Sequence, residues 1–328
     1  LHINNSTGVI TTGAETPLVI NASPTGLAIL PSKKFVYAVN SNSHSNSISV
    51  FKVAGDGSLT LSGTPTPAGD GPNNAVVDPS GQYLLVTNNF GNSVSVYSID
   101  TGSGALSEVG GSPFPANANP SEIVIVPSGK FVYVTNPGIG TVTGFTFSSG
   151  TLTQVPGSPK FSGAGAFGLA VDSSERFLYV ANPSAPNPLQ TNTGNVSGFT
   201  IDPNTGALTS MQGSPFSPTT GNAPLMIAVD PNGRFVYAVT TGSSSSVWCF
   251  VISSTTGQLT LAQGSPFSVS AGGLFALIDP DGNHLYIGSP TGNGVAGYSY
   301  SSATGVPTAI TGSPFPTVST PGKMVLSQ

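Results

Sequence analysis

Cysteine is nearly missing from this chain. Cys249 stands alone among 328 residues, so no internal disulfide can form and compartment cannot be inferred from pairing. It lies in the apolar run Val247-Trp248-Cys249-Phe250-Val251, where a small buried hydrophobe is the expected role. Charge is scarce as well. Asp, Glu, Lys and Arg make up 6% of the chain, against about 25% in ordinary soluble domains. The net charge of −5 comes from 13 acids and 8 bases. With no basic stripe, nucleic acid and anionic membrane surfaces are poor partners. The three histidines, His2, His44 and His284, are far apart and lack metal-ligand spacing, so neither a metal site nor a cofactor is expected. No segment reaches the ~18 continuous apolar residues needed to span a bilayer. Long Ala-, Glu-, Leu- and Lys-rich helical stretches are absent too.

Turns and short apolar runs take their place. The chain has 42 glycines and 29 prolines, and 38% of it is apolar; the apolar residues fall in regular strand-length runs, which excludes disorder. Residues 123–136 read IVIVPSGKFVYVTN: an apolar strand, a Pro-Ser-Gly turn and an antiparallel return strand. Related phrases begin at Leu27, Ala75, Leu169, Ile227 and Ala276, and the turn Pro or its stand-in falls at 31, 79, 127, 173, 231 and 280. Such a period marks a repeat architecture. Each repeat continues into an alternating third strand such as Ser93-Val94-Ser95-Val96-Tyr97, then a glycine, a short fourth strand and a Gly-Ser-Pro-Phe punctuation, clean at 111–114, 213–216, 264–267 and 312–315 and degraded at 15–18, 63–66 and 157–160.

Four-stranded antiparallel units of this length are propeller blades. The expected fold is all-β, a single seven-bladed β-propeller over residues 1–328. Six blades span 25–65, 73–113, 121–159, 167–215, 224–266 and 274–314. The seventh is split across the termini, 322–328 plus 1–13, and is incomplete. Leu1 without a preceding Met or signal peptide reads as the start of a mature or trimmed product. Few lysines and few titratable groups suggest an exported, extracellular or cell-surface protein tolerant of acid.

At Phe131-Val132-Tyr133-Val134-Thr135-Asn136 the chain carries a YVTN signature, and its whole length resembles the YVTN-repeat and lactonase propellers, which include 6-phosphogluconolactonase-like enzymes. The resemblance implies a site of His, Arg and Glu at the channel mouth. A Pro-His motif of the family matches Pro72-Asn73, a Pro-Arg-His motif matches Pro224-Leu225-Met226, and an Asn-Glu pair matches Thr240-Thr241. Those replacements remove the proton carriers and cations that a hydrolase needs. They lead to an expected non-catalytic structural or interaction module with no catalytic residue, self-associating or docking a protein partner through outer strand edges that lack Lys and Arg and carry only Glu108 as a charge. A lactonase is the alternative, and a glycan-binding surface protein a third reading.

The candidate binding residues lie at the channel mouth and on one loop face: Asn73, Asn74, Glu122, Leu225, Met226, Asn187 and Gln190. Glu122 is the acid placed nearest the mouth, at the start of an innermost strand. Asn187 and Gln190 belong to the long insertion 183–194. Asn40, Asn88, Asn136 and Asn182 recur at the end of the second strand, where a repeated turn-capping role is expected. Phe114, Phe161, Phe216, Phe267 and Phe315 recur near the punctuation as wedges between blades or, if exposed, as a surface for a glycan.

Overall fold

The protein was analysed as a computed structural model. The structure describes residues 2–11, 24–41, 46–183, 194–217, 223–240, 245–269, 273, 275–289, 294–317 and 323–325. Six antiparallel sheets follow one another along the chain, each ordered from an innermost strand to an outer one. In the third blade, Ile123–Ile125 pairs with Phe131–Asn136, which pairs with Thr141–Ser148, which pairs with Thr151–Gln154. The second strands (Phe35–Asn40, Phe131–Asn136, Phe177–Asn182 and Phe235–Thr240) are buried at every position. Neighbouring blades cover both faces, so these strands read as continuous apolar runs rather than as alternation.

The core lies between blades. One cluster joins Tyr37 and Val39 of the first blade to Leu84 and Tyr97 of the second. Others join Val94 to Val134, and Tyr179 to Trp248. Polar ties cross the same seams. The Tyr133, Tyr179 and Tyr237 hydroxyls donate to the Gly206, Gly257 and Gly305 carbonyls at 2.8, 2.7 and 2.9 Å. Each acceptor sits in the turn before the next blade's outer strand. Tyr286 continues the series by donating to Gly8 O at 3.0 Å, which ties the N-terminal segment to the sixth blade.

The expected seventh blade draws on both ends of the chain. His2–Ile3 pairs with Ile10–Thr11, and this hairpin packs with Phe275, Tyr286, Ile310 and Phe315, as does Met324. Residues 323–325 have no ladder partner among the described residues. They nevertheless line the central cavity together with the six innermost strands.

The Gly-Ser-Pro-Phe punctuation proves to be part of the sheet. Phe114–Pro115, Lys160–Phe161, Phe267–Ser268 and Phe315–Pro316 form short fifth strands on the free half of the third strand. Between the fourth and fifth strands the serine fills the gap in the ladder. Ser158, Ser214, Ser265 and Ser313 accept from the Gly144, Gly198, Cys249 and Gly297 amides at 2.8–3.0 Å. Phe114, Phe216, Phe267 and Phe315 pack against core clusters, as wedges should. Phe161 does not and is 62% exposed, because Lys160 occupies the wedge position and the one-residue slip turns the ring to the other face. A five-ring glycan surface is therefore not what these residues make.

Two further expectations change. The recurrent asparagines are fully buried, and they clamp the second strand to the third rather than capping a turn. Asn40 Nδ2 donates to Ser49 Oγ at 3.0 Å, Asn88 Nδ2 to Ser95 Oγ at 2.9 Å and Asn182 Nδ2 to Ser197 Oγ at 3.0 Å, while Asn136 Oδ1 accepts from Thr143 Oγ1 at 2.7 Å. The acids also divide into two kinds. Asp78, Asp172, Asp230 and Asp279 are buried in the turns after the innermost strands. Asp100 and Asp202 are exposed. The Ser103 amide, then its hydroxyl and the Gly102 amide, hold the Asp100 carboxyl below its ordinary 3.8. The Thr205 and Asn204 amides do the same for Asp202. Their contribution to stability is in place above the ordinary carboxylate range and is lost as pH falls through the lowered folded values. Melting temperature should stay level from pH 7 to about pH 4 and fall below it, a course that scanning calorimetry would read directly.

Cys249 is fully buried, and burial pushes its thiol up to about 12. The native protein should leave an aromatic disulfide reagent unreacted at pH 8, with one thiol released on adding denaturant. His284 stands where other blades carry Phe35, Phe131, Phe177 and Phe235. It is buried, its Nδ1 lies 2.7 Å from Asp279 Oδ2, and its ring fills the space beside Gly8. It is a strand-packed histidine.

Candidate functional site

Five residues before each turn position stand Gly26, Asn74, Glu122, Gly168, Met226, Phe275 and Lys323, and all of them but Gly26 line the channel. Together with the residues that follow them they surround a cavity of about 320 Å³, the lower end of the range for small-molecule sites. At Gly26 and Gly168 neighbouring backbones come too close for a side chain. A Cβ would lie 2.7 Å from Asn73 O at the first and 2.6 Å from Leu225 O at the second. Glycine lets the second blade's innermost strand come close at the first position and the fifth blade's at the second.

The polar side of the cavity is a chain of three groups. Lys323 Nζ lies 2.6 Å from Glu122 Oε1, and Asn74 Nδ2 donates to Glu122 Oε2 at 2.5 Å. The carboxylate is thus engaged at both oxygens. Its side chain is 12% exposed and that of Lys323 21%, so the pair is largely withdrawn from water. Removing one partner of such a pair leaves the other charge uncompensated.

The strands behind hold this constellation in place. Asn74 N donates to Thr87 Oγ1 at 3.0 Å and Glu122 N to Thr135 Oγ1 at 3.1 Å. Thr87 Oγ1 donates onward to Ser121 O at 2.7 Å, which joins the second blade to the third. These are the threonines of the repeated Val-Thr-Asn phrase. Other blades place Val39 and Ala181 there, and those blades carry glycine at the matching innermost position. The register also shifts between Pro72 and Ala75, and such irregularities re-aim side chains beside sites. Lys323 is positioned by Met324, which packs into the cluster containing Ile10 and Phe275. Met226 and Phe275 add apolar lining to the same cavity.

Of the residues expected from sequence, Asn74, Glu122 and Met226 come together on the cavity. Asn73 turns away, its Nδ2 3.5 Å from Ser121 Oγ. Leu225 is the extra residue at a register shift, and its backbone carbonyl accepts from Gly168 N at 3.0 Å. Neither of their side chains lines the cavity. Thr240 is buried against Ser246. Thr241, Asn187 and Gln190 lie outside the described residues. Lys323 was not anticipated, although the repeat spacing puts it in register with Glu122. Among the described residues no group of three His, Cys, Asp or Glu could hold a metal ion.

A family profile described as a seven-bladed β-propeller lactonase matches residues 6–115, 110–220 and 192–322. The fold is similar to a Bacteroides uniformis structure designated a candidate 6-phosphogluconolactonase, with TM-score 0.79, 20% identity, 98% of this chain covered and 92% of that one. A Bacteroides fragilis structure of the same designation gives 0.71 and 22%, covering 88% and 83%. The periplasmic gluconolactonase of Pseudomonas aeruginosa gives 0.59 and 24%, covering 76% and 70%. No curated protein sequence matches. The expected non-catalytic module is overturned by the lactonase profile. It rested on three vacated motif positions, whereas the carboxylate, ammonium and amide at the channel come from Glu122, Lys323 and Asn74. The chain belongs to the seven-bladed lactonase β-propeller family.

Proposed function

We propose that this protein hydrolyses lactones at the channel mouth, with Glu122 as general base and Lys323 and Asn74 as donors to the developing oxyanion. The observation that carries the reading is the Asn74–Glu122–Lys323 chain on the wall of the cavity. Water attacks the lactone carbonyl carbon and gives its proton to the Glu122 carboxylate. Charge gathers on the carbonyl oxygen, where an ammonium and an amide stabilise it strongly in a water-poor site. The ring C–O bond then breaks, Glu122 returns the proton to the departing ring oxygen, and a hydroxy acid leaves. Without ligand the two donors rest on the carboxylate, so the substrate must turn them towards its carbonyl. The names of the neighbouring structures support lactone chemistry and carry no residue roles to this chain.

A pH-stat assay of δ-lactones at pH 7, corrected for spontaneous opening, tests the reading. Acid release well above the background, reduced by Lys323→Met, is expected. Release at the background rate across a panel of δ- and γ-lactones would rule the reading out.

A further inference from the structure

We infer that the channel selects an uncharged lactone bearing an apolar substituent and disfavours a phosphorylated one; this rests on the hydrolase reading for the lactone and on the cavity itself for the selectivity. A phosphate dianion needs several cationic or amide donors converging on it. Among the described residues the cavity offers one cation, Lys323, and Glu122 already neutralises it.

The remaining bases are elsewhere. Lys33, Lys34, Lys130, Arg176 and Arg234 occupy the turns that follow the innermost strands, at the opposite end of the channel. Lys52 lies on a third strand and Lys160 on a fifth strand at the outer edge. Asp70, exposed just before the strand that carries Asn74, has the same sign as a phosphate. Nothing described at the mouth would draw a dianion in, and one charge would repel it.

The apolar part of the cavity wall suits the other class. Met226 and Phe275 line it, and both are buried. The Phe275 ring fills the space beside Gly288, where a Cβ would come within 1.9 Å of Cε1, so the ring is held in place. Met226 in the same lining fills irregular space and adapts to different alkyl shapes. A lactone with its carbonyl at Lys323 and Asn74 would direct its substituent at this wall. Beside the start of the strand that carries Asn74, Phe90 is 68% exposed and its ring covers Gly71, one residue before that strand begins. Apolar surface therefore lies on the approach as well as inside.

The test compares kcat/KM for an alkyl-substituted δ-lactone with that for 6-phosphoglucono-δ-lactone at equal ionic strength. A preference of tenfold or more for the alkyl compound is expected, narrowing severalfold in Phe275→Leu, while Met226→Arg raises turnover of the phosphorylated compound. Equal or faster turnover of the phosphorylated lactone by the unaltered protein would overturn the selectivity and leave the hydrolase reading intact. Should no lactone be opened, the hydrolase reading fails, and calorimetric titration reads the selectivity alone. An alkyl δ-lactam, which resists hydrolysis, should bind at least tenfold more tightly than 6-phosphogluconate. Equal binding, binding in the reverse order, or no binding of the lactam would overturn the inference.

Discussion

Glu122→Gln is expected to lower the rate of lactone opening by about 10²–10⁴-fold, the usual contribution of a general base, with KM changed far less than kcat. Gln keeps the length and planarity of the side chain and so continues to fill the cavity wall. It cannot accept a proton from the attacking water. It also turns one of the two accepting oxygens into an NH₂ group, which would face either Lys323 or Asn74 donor to donor. The cost in stability should be smaller than the ~3–5 kcal/mol of breaking a fully buried pair, because the Lys323 side chain keeps 21% of its exposure. Steady-state kinetics beside a urea melt separates the two effects. A variant that loses activity only in proportion to its loss of folded protein would show that Glu122 is structural.

Trp248→Ala should destabilise the fold by about 3–5 kcal/mol, the range for deleting a large aromatic from a packed core. Trp248 is fully buried in the seam between the fourth and fifth blades, among Tyr179, Met211, Ile227 and Phe250. Its ring centroid is 6.4 Å from that of Phe250 at 78°. The reason for tryptophan here lies in the other blades. Opposite Ala38, Val86, Val134 and Val180 on their second strands, blades one to four carry Ser49, Ser95, Thr143 and Ser197, each bonded to a buried asparagine. In the fifth blade Trp248 takes that place opposite Ala238, and Thr240 takes the asparagine's. A polar clamp has been exchanged for apolar volume. Its removal restores neither, and rigid strands on both sides leave the cavity little means of collapse. Chemical denaturation read by Tyr fluorescence checks the figure; a loss below about 1 kcal/mol would mean that the seam is loosely packed.

The repeat made the propeller legible because each blade solves the same burial problem with the same phrase. Phe-Val-Tyr recurs where two faces are covered, and glycine recurs where a turn needs positive φ, as at Gly206 with φ +73° under the Phe131 ring. The fifth strand was hidden by its brevity: two residues after a Pro carry no periodicity. Glu122 stood out as an acid beginning an innermost strand. Lys323 did not, because its partner lies 201 positions away and the family motifs point to other positions. Counting five residues back from Gln328, as for every other blade, places it beside Glu122. The pair of threonines Thr87 and Thr135 carried a further signal. They occur in the two blades that offer Asn74 and Glu122 to the channel, and their hydroxyls bind those residues' amides. Asn73 and Leu225 were misplaced because alignment to a motif cannot show which way a side chain turns at a register shift.

A crystal structure of the protein soaked with an alkyl δ-lactam tests the central claim most directly. The account places the lactam carbonyl oxygen within hydrogen-bond distance of Lys323 Nζ and Asn74 Nδ2, with the 2.6 Å contact between Lys323 and Glu122 opened and the alkyl chain against Met226 and Phe275. A lactam bound outside the channel, or bound in it with that contact closed and its carbonyl turned away from Lys323, would contradict it.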